Sequence, residues 1–135
     1  MTQVFSKLAL LTLAAIAVPA AASAGAPFEG RWANPKRSVI IEVKPCGPAH
    51  CGTVVWASAN AKENARKGGT RNLIGTRLIE GIRPDGKGGF KGRGFVPKQN
   101  IHASATIRKA GPNVMVVKGC ALGVICKEQR WTKVN

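Results

Sequence analysis

Apolar and polar residues alternate along much of the chain beyond residue 28. The clearest stretch is IHASATIRK at 101–109, where the apolar positions are Ile101, Ala103, Ala105 and Ile107. A period of two residues is typical of a β-strand that turns one face to a core. Stretches rich in β-branched and aromatic residues predict further strands, which lie near 30–32, 38–43, 52–56, 76–82, 90–96, 114–120 and 128–134.

One segment departs from this alternation. The stretch ASANAKENARKGG, at 57–69, is rich in alanine and charged residues. It predicts either a short exposed helix or a polar loop, which the glycines at 68 and 69 would end. Turn residues separate the other segments, so the pattern predicts an antiparallel all-β fold of about eight strands.

Two arrangements of such strands fit the pattern, a sandwich and a closed barrel. The strands follow one another in sequence, which favours a barrel because closure leaves no open edge. In a closed meander the first and last strands pair, and both carry tryptophan. We therefore expect Arg130 to lie on the face of Trp32, a cation–π contact that contributes about 0.5–2 kcal/mol.

The first 24 residues have the pattern of a cleaved secretory signal peptide. Lys7 precedes an apolar run at 8–20, and the small residues Ala22, Ser23 and Ala24 follow it. The run is shorter than the roughly 20 residues that span a bilayer, which disfavours the alternative of an uncleaved membrane helix. We expect a single domain at 25–135 in the periplasm or outside the cell.

Four cysteines lie in the expected domain: Cys46, Cys51, Cys120 and Cys126. An even number in a small exported domain favours disulfides, and the local pairing joins Cys46 to Cys51 and Cys120 to Cys126. Each short loop would then stabilise the fold by about 2 kcal/mol. The alternatives are a zinc site and a redox pair, and the gaps of four and five residues between the cysteines fit both poorly. A thioredoxin-type redox motif needs two intervening residues, and a structural zinc site prefers paired short spacings.

The chain is strongly basic. It has 21 Lys and Arg residues against 6 Asp and Glu, a formal net charge of +15. Such a charge favours anionic partners such as lipid phosphates or acidic polysaccharide, although it also serves solubility. The densest basic surface is predicted at Lys62, Arg66, Lys67 and Arg71. Tyrosine is absent, so base-stacking platforms are few and nucleic-acid binding is not expected.

Catalytic groups are scarce. The chain has two histidines, His50 and His102, and its few acids form no evident pair or cluster with serine or histidine. The glycine-rich GKGGFKGRG lies in a hairpin context, where glycines serve turns and bulges. We expect no enzymatic activity, no metal and no cofactor.

A barrel of this size can hold a small apolar or amphiphilic molecule in its mouth. The apolar faces of the strands supply the candidate lining residues, which are Trp56, Leu78, Phe95, Ile101, Ala103, Ala105 and Ile107. The alternative is that these side chains simply fill the core. Raising the salt concentration distinguishes an interior ligand from surface binding to an anionic envelope. Salt screens charges and so weakens surface binding far more than it weakens binding of an apolar ligand.

The segments GRW, CGPAHCGTVVW, GTRNLIGTRLIEGI, FVPKQNIHASATI and CKEQRWTKV occur in the order and spacing of a known family. The chain resembles the bacterial exported family catalogued as domain of unknown function 2147. The resemblance implies a small lipocalin-like barrel, periplasmic in most members, with no established enzymatic activity. It also implies that Gly30 and Trp32 form a lipocalin-like G-x-W signature on the first strand.

One departure from the family concerns its candidate ligand residues. Many members have an aromatic–acid–proline triplet where this chain has Phe95, Val96 and Pro97, and His102 stands where a tyrosine often follows. The resemblance therefore implies the fold of this chain, but it does not identify ligand-binding residues. Together the observations predict a non-catalytic, disulfide-stapled, lipocalin-like β-barrel that binds a small ligand or an anionic surface.

Overall fold

A computed structural model, which describes residues 14–16 and 27–135, shows a closed antiparallel barrel of eight strands. The strands are β1 (Gly30–Ala33), β2 (Val39–Cys46), β3 (Ala49–Ala57), β4 (Arg77–Pro84), β5 (Phe90–Val96), β6 (Ile101–Gly111), β7 (Val114–Ala121) and β8 (Ile125–Val134). A helix, α1 (Ala59–Lys67), lies between β3 and β4. Apart from 14–16, the predicted signal peptide lies outside the described residues.

The strands pair in the order of the sequence, and β1 closes the barrel against β8. In β1, Trp32 lies opposite Ile41 of β2 on one side and opposite Lys133 of β8 on the other. The prediction of an all-β barrel of about eight strands, in which the first and last strands pair, is confirmed.

Successive strands run in opposite directions, so their connections alternate between two ends of the barrel. We call one the helix end, because it carries α1 within the connection 58–76, together with the connections 34–38, 97–100 and 122–124. The other is the N-terminal end, which carries residues 27–29 and the connections 47–48, 85–89 and 112–113. The two ends differ in the charge of their connections and in exposed apolar surface.

Helix α1 resolves the alternative at 57–69 in favour of a helix. Its first turn is capped by Ser58, whose Oγ accepts a hydrogen bond from the N–H of Ala61 at 3.1 Å. Its last turn is closed at Gly68, whose N–H donates to the carbonyl of Ala65 at 3.1 Å. A Cβ atom at Gly68 would collide with the backbone carbonyl of Lys98, so only glycine allows this approach.

The core fills the barrel and continues beneath α1, through Ala57, Ala65 and Leu73. Its largest fully buried side chains are Trp32, Phe28, Ile41, Ile82, Ile107, Met115, Val43 and Val54. Phe28 covers the N-terminal end and packs edge-to-face on Phe90, with ring centres 4.3 Å apart. Burial of each large apolar side chain contributes roughly 1.5–3 kcal/mol, which makes this cluster the main source of stability.

A β-bulge reverses the face of one predicted lining residue. Ile40 pairs with Trp56 and Ile41 pairs with Val54, so Val55 is an extra residue in β3. Val54 points into the core, and strict alternation would send Trp56 the same way. The bulge turns Trp56 outwards, where its side chain is 45% exposed, and corrects the expectation that it lines the barrel.

Two surface carboxylates have lowered pKa values. The Arg31 guanidinium donates a hydrogen bond to Glu42 at 3.2 Å and holds the pKa of that carboxyl below its ordinary value, with a smaller contribution from Lys44. In the turn at 85–89, the backbone N–H of Lys87 donates to Asp85 at 2.7 Å and lowers the pKa of Asp85. Both groups favour the fold in their ionised form.

Candidate functional site

The signature residues Gly30 and Trp32 lie at the N-terminal end of the barrel. The indole Nε1 of Trp32 donates a hydrogen bond to the carbonyl of Phe28 at 2.7 Å, and the ring is fully buried. Gly30 has a φ of +115°, which favours glycine, and a Cβ there would lie 3.3 Å from Cε of Lys133. These residues close the barrel and leave no opening at their own position.

The cation that faces Trp32 is a lysine and not Arg130. Nζ of Lys109 lies 5.4 Å from the centre of the Trp32 ring, and Nζ of Lys133 lies 5.7 Å from it. Arg130 pairs with Val116 on the outer face of β8, because its neighbour Trp131 points inwards. The expected contact between Arg130 and Trp32 is therefore wrong, and two lysines provide it instead.

On β6 and β8 the inner wall of the barrel is covered towards the N-terminal end and uncovered at the helix end. On β6, Ile107 is fully buried, whereas Ile101 at the start of the same face is exposed. On β8, Trp131 is buried, whereas Ile125 on the same face is 64% exposed. We call this uncovered apolar stretch of the inner wall, between β6 and β8 at the helix end, the opening.

Small residues make up much of the wall beside this opening. The inner positions of β5, β6 and β7 include Gly92, Gly94, Ala103, Ala105 and Gly119, which pair with one another across the strands. A Cβ at Gly92 would lie 2.7 Å from the carbonyl oxygen of Glu80, so this position requires glycine. Small side chains leave room for a ligand where larger ones would fill the wall.

The predicted lining residues divide into three groups. Leu78, Ala105 and Ile107 pack in or against the core, and Ile101 and Ala103 lie at the opening. Trp56 lies outside, as described above.

Phe95 also lies on the outer face, because it pairs with His102 while Phe90 fixes the inner face of β5. Its ring centre is 5.0 Å from that of His102. This corrects the expectation that Phe95 lines the interior.

Polar groups also face the opening. Gln129 and Lys127 share the inner face of β8 with Trp131, since they alternate along an unbroken pairing with β7. Oε1 of Gln129 accepts a hydrogen bond from Nε1 of Trp131 at 3.1 Å, which holds the amide against the indole. Lys127 is exposed at the rim. The opening thus combines an apolar wall with one positive charge and one amide.

Two shallow concavities both include Arg93 and His102. One has a volume of about 330 Å³, and its other lining residues are Arg77, Glu80, Phe95 and Asn100. The second, of about 450 Å³, extends to the β7–β8 hairpin, and its other lining residues are Gly92, Ala103, Ser104, Cys120, Leu122 and Gly123. Both place a guanidinium beside apolar side chains.

The cysteines form two disulfides, Cys46–Cys51 and Cys120–Cys126. These are the pairs of the local connectivity. The first ties β2 to β3 at the N-terminal end, and the second ties β7 to β8 at the helix end. Nε2 of His50 lies 2.7 Å from Oε1 of Glu29, so this histidine links the first stapled hairpin to the N-terminal segment.

The predicted anion surface lies at the helix end. Lys62, Arg66 and Lys67 belong to α1, and Arg71 follows it. Arg66 is paired with Glu63 at 2.7 Å, which neutralises part of its charge. All four residues are exposed and belong to the same connection between β3 and β4.

Within the described part of the chain, His, Cys, Asp and Glu side chains form no group of three or more that could hold a metal ion. In the same residues there is no helix with the length and apolar character needed to cross a bilayer.

Comparison with known proteins agrees with this architecture. The family model described as "Uncharacterized protein conserved in bacteria (DUF2147)" matches residues 30–133. Protein HP1028 of Helicobacter pylori, which is described as belonging to the lipocalin family, has a similar structure with a TM-score of 0.59. The two chains are 9% identical over 79% of this chain and 82% of that one, so the likeness concerns the fold. No curated protein matches the chain.

Proposed function

Because the chain belongs to the bacterial family DUF2147 and has a lipocalin-like barrel, we propose that it is a non-catalytic binding protein of the periplasm. Its ligand is a small apolar or amphiphilic molecule, bound at the opening of the inner wall at the helix end. The lipocalin-like fold suggests ligand binding in general. The position of the opening carries the more specific proposal.

The observation that supports this site is the change in burial along a single face. Ile107 and Ile101 lie on the same face of β6, and only Ile107 is covered. Ile125 on β8 is likewise uncovered, at the same end. Apolar surface in water costs roughly 25 cal/mol per Å², so a ligand that covers these side chains gains binding free energy.

The polar groups at the opening favour an amphiphile with an acidic head. Lys127 offers a cation and Gln129 an amide beside the apolar wall. A carboxylate or phosphate group near Lys127 would form a charge-assisted hydrogen bond while the chain of the ligand lies against Ile101 and Ala103. A neutral apolar molecule would use the same wall without that bond.

The positions of the histidines support binding over catalysis. His50 lies at the N-terminal end, where Nε2 contacts Glu29. His102 lies on the outer face beside Phe95. General acid–base catalysis needs a titratable side chain within hydrogen-bond reach of the substrate. His50 thus lies at the other end of the barrel from the opening, and His102 lies on the opposite face of β6 from Ile101 and Ala103.

The periplasmic location is part of the same proposal. The signal-peptide pattern of the first 24 residues supports export, and the two disulfides suit an oxidising compartment. Detection of the mature chain in a periplasmic extract, with its N-terminus near Gly25, tests this part.

The experiment for the ligand site measures the affinity of the delipidated protein for dodecanoate and for dodecanol. Ala103→Trp fills the wall at the opening and should weaken binding of both probes more than about tenfold. Thr106→Trp, which adds the same side chain on the outer face of the same strand, is the matched control and should bind normally.

Lys127→Gln separates the two probes. It should weaken dodecanoate binding about tenfold, the loss of one charge-assisted hydrogen bond, and leave dodecanol unchanged. Equal affinities of the wild type, Ala103→Trp and Thr106→Trp would contradict a site on the inner wall. Absence of binding by the wild type would contradict the proposed function itself.

A further inference from the structure

Large apolar side chains that are exposed to water gather at one end of the barrel. In residues 27–135 these side chains are Trp56, Ile74, Ile101, Leu122, Val124 and Ile125. Each lies in a helix-end connection or at the helix-end terminus of a strand. The corresponding side chains at the N-terminal end, among them Phe28 and Phe90, pack on each other. A one-sided apolar surface of this kind marks an interaction site.

The most exposed part of this surface is the tip of the β7–β8 hairpin. Leu122 is 90% exposed and Val124 is 80% exposed, and they flank Gly123 at the turn. The disulfide Cys120–Cys126 ties the two strands directly below the tip. The hairpin therefore presents two apolar side chains on a fixed support, and docking them orders few further residues.

The connections at the two ends also differ in charge. The helix-end connections contain seven basic residues, Lys36, Arg37, Lys62, Arg66, Lys67, Arg71 and Lys98, against one acidic residue, Glu63. The N-terminal-end segments within 27–135 contain one basic residue, Lys87, against Glu29 and Asp85. The apolar tip therefore lies at the end of the barrel whose connections are basic.

From these two asymmetries we propose that the chain docks through its helix end on an anionic phospholipid bilayer. Leu122 and Val124 enter the region between headgroups and acyl chains, and the basic connections around them face the lipid phosphates. Both contributions are those by which peripheral proteins bind membranes. Trp56, exposed at the same end, is of the type that favours this interfacial region.

The surroundings of the tip fit a lipid headgroup. Leu122 borders the concavity of about 450 Å³ that also contains Arg93, His102 and Ser104. When Leu122 enters the bilayer, this concavity comes to the level of the phosphates, where a guanidinium can bind a phosphate through two parallel hydrogen bonds. A polar protein partner or a nucleic acid would not need the uncovered leucine and valine at the same end as the basic connections.

The test is co-sedimentation of the mature protein with vesicles of phosphatidylcholine, alone or mixed with phosphatidylglycerol. Binding to the mixed vesicles should exceed binding to phosphatidylcholine by more than about tenfold at low salt and fall as salt is raised. Leu122→Ser combined with Val124→Ser should reduce binding to the mixed vesicles about tenfold. Both side chains protrude from the fold, so this variant should keep the thermal stability of the wild type.

A matched pair of charge reversals tests the orientation. Lys67→Glu combined with Arg71→Glu, at the helix end, should reduce binding to the mixed vesicles more than about tenfold. Lys44→Glu combined with Lys87→Glu changes the net charge equally near the N-terminal end and should reduce binding far less. Equal losses from the two pairs would show that net charge alone binds lipid, and would overturn the proposal.

Unchanged binding by the hairpin variant, or no binding to the mixed vesicles at low salt, would also overturn it. The proposal does not rest on the ligand site: Ala103→Trp, which fills the opening, should bind vesicles like the wild type.

Discussion

Nζ of Lys109 lies 5.4 Å from the centre of the Trp32 indole and donates hydrogen bonds to the carbonyls of Pro27 and Pro112, each at 3.0 Å. One ammonium group thus joins the first strand, the segment before it and the turn between β6 and β7. Lys109 occupies the position on the Trp32 ring where the sequence suggested Arg130 of the last strand. The closure of the N-terminal end depends on this lysine together with the burial of Trp32.

Removal of this ammonium should destabilise the barrel. Lys109→Met keeps most of the aliphatic side chain and loses the cation–π contact and two hydrogen bonds, so the free energy of unfolding should fall by about 1–2 kcal/mol. Arg130→Gln, on the outer face of β8, should change it by less than about 0.5 kcal/mol. Urea denaturation followed by tryptophan fluorescence measures both. A larger loss from Arg130→Gln would contradict the assignment.

The close approach of α1 to the β5–β6 connection gives a second prediction. Gly68→Ala would normally favour a helix end, but here its Cβ meets the carbonyl of Lys98. We expect a loss of about 1–3 kcal/mol in the free energy of unfolding, because the helix must shift away from the connection. Gly119→Ala, whose Cβ would lie 3.9 Å from the nearest atom, is the matched control and should be nearly neutral. Equal midpoints in thermal denaturation would show that no such shift is required.

The two disulfides should differ in their rate of reduction. Cys51 is buried at the N-terminal end, whereas Cys126 is exposed on the hairpin of the helix end. A thiol reagent should therefore open Cys120–Cys126 first, as alkylation and mass spectrometry of the native protein would show. Removal of either bridge by a double Cys→Ser replacement should cost about 2 kcal/mol of unfolding free energy. Faster reduction of Cys46–Cys51 would contradict the order.

The turn at 85–89 should make stability depend on pH in the acid range. Hydrogen bonds from the backbone N–H groups of Lys87 and Gly89 lower the pKa of Asp85 in the folded protein below its ordinary value of 3.8. The unfolded chain then binds the proton more tightly than the folded one. The contribution of Asp85 is therefore complete above the ordinary pKa and is lost as pH falls through the lowered folded-state pKa.

Asp85→Asn removes this titration. Its free energy of unfolding should lie below that of the wild type at neutral pH and approach it at acid pH, which urea denaturation at a series of pH values would measure. A constant difference between the two proteins at every pH would exclude the linkage.

Much of the fold could be predicted from alternation alone, because each strand buries one face and turn residues mark the connections. Trp56 shows where this reasoning fails. A single extra residue, Val55, reverses the face of the tryptophan, and a bulge leaves no mark in the hydrophobic pattern. Phe95 fails for a different reason. Lys91 and Arg93 alternate with Phe90, so alternation places Phe95 on the outer face, and its apolar character alone pointed the other way.

The sequence of β8 itself indicates that Arg130 lies on the outer face. Trp131 and Lys133 alternate with Arg130 and Thr132, so a buried Trp131 places Lys133, and not Arg130, on the inner face. Lys109 has no comparable signal in the sequence, because its contact with Trp32 depends on the closure of the barrel. The asymmetry between the two ends likewise needs the topology, since it appears only when the connections are assigned alternately to the ends.

The even number of strands determines where a fusion partner or a tether can be attached without covering the helix end. Because eight strands alternate in direction, β1 begins and β8 ends at the same end of the barrel, remote from α1 and Leu122. A fluorescent protein, an affinity handle or a surface tether fused directly before β1 or after β8 would leave the helix end free. Such fusions would allow binding at the opening and at the hairpin tip to be measured without blocking either site.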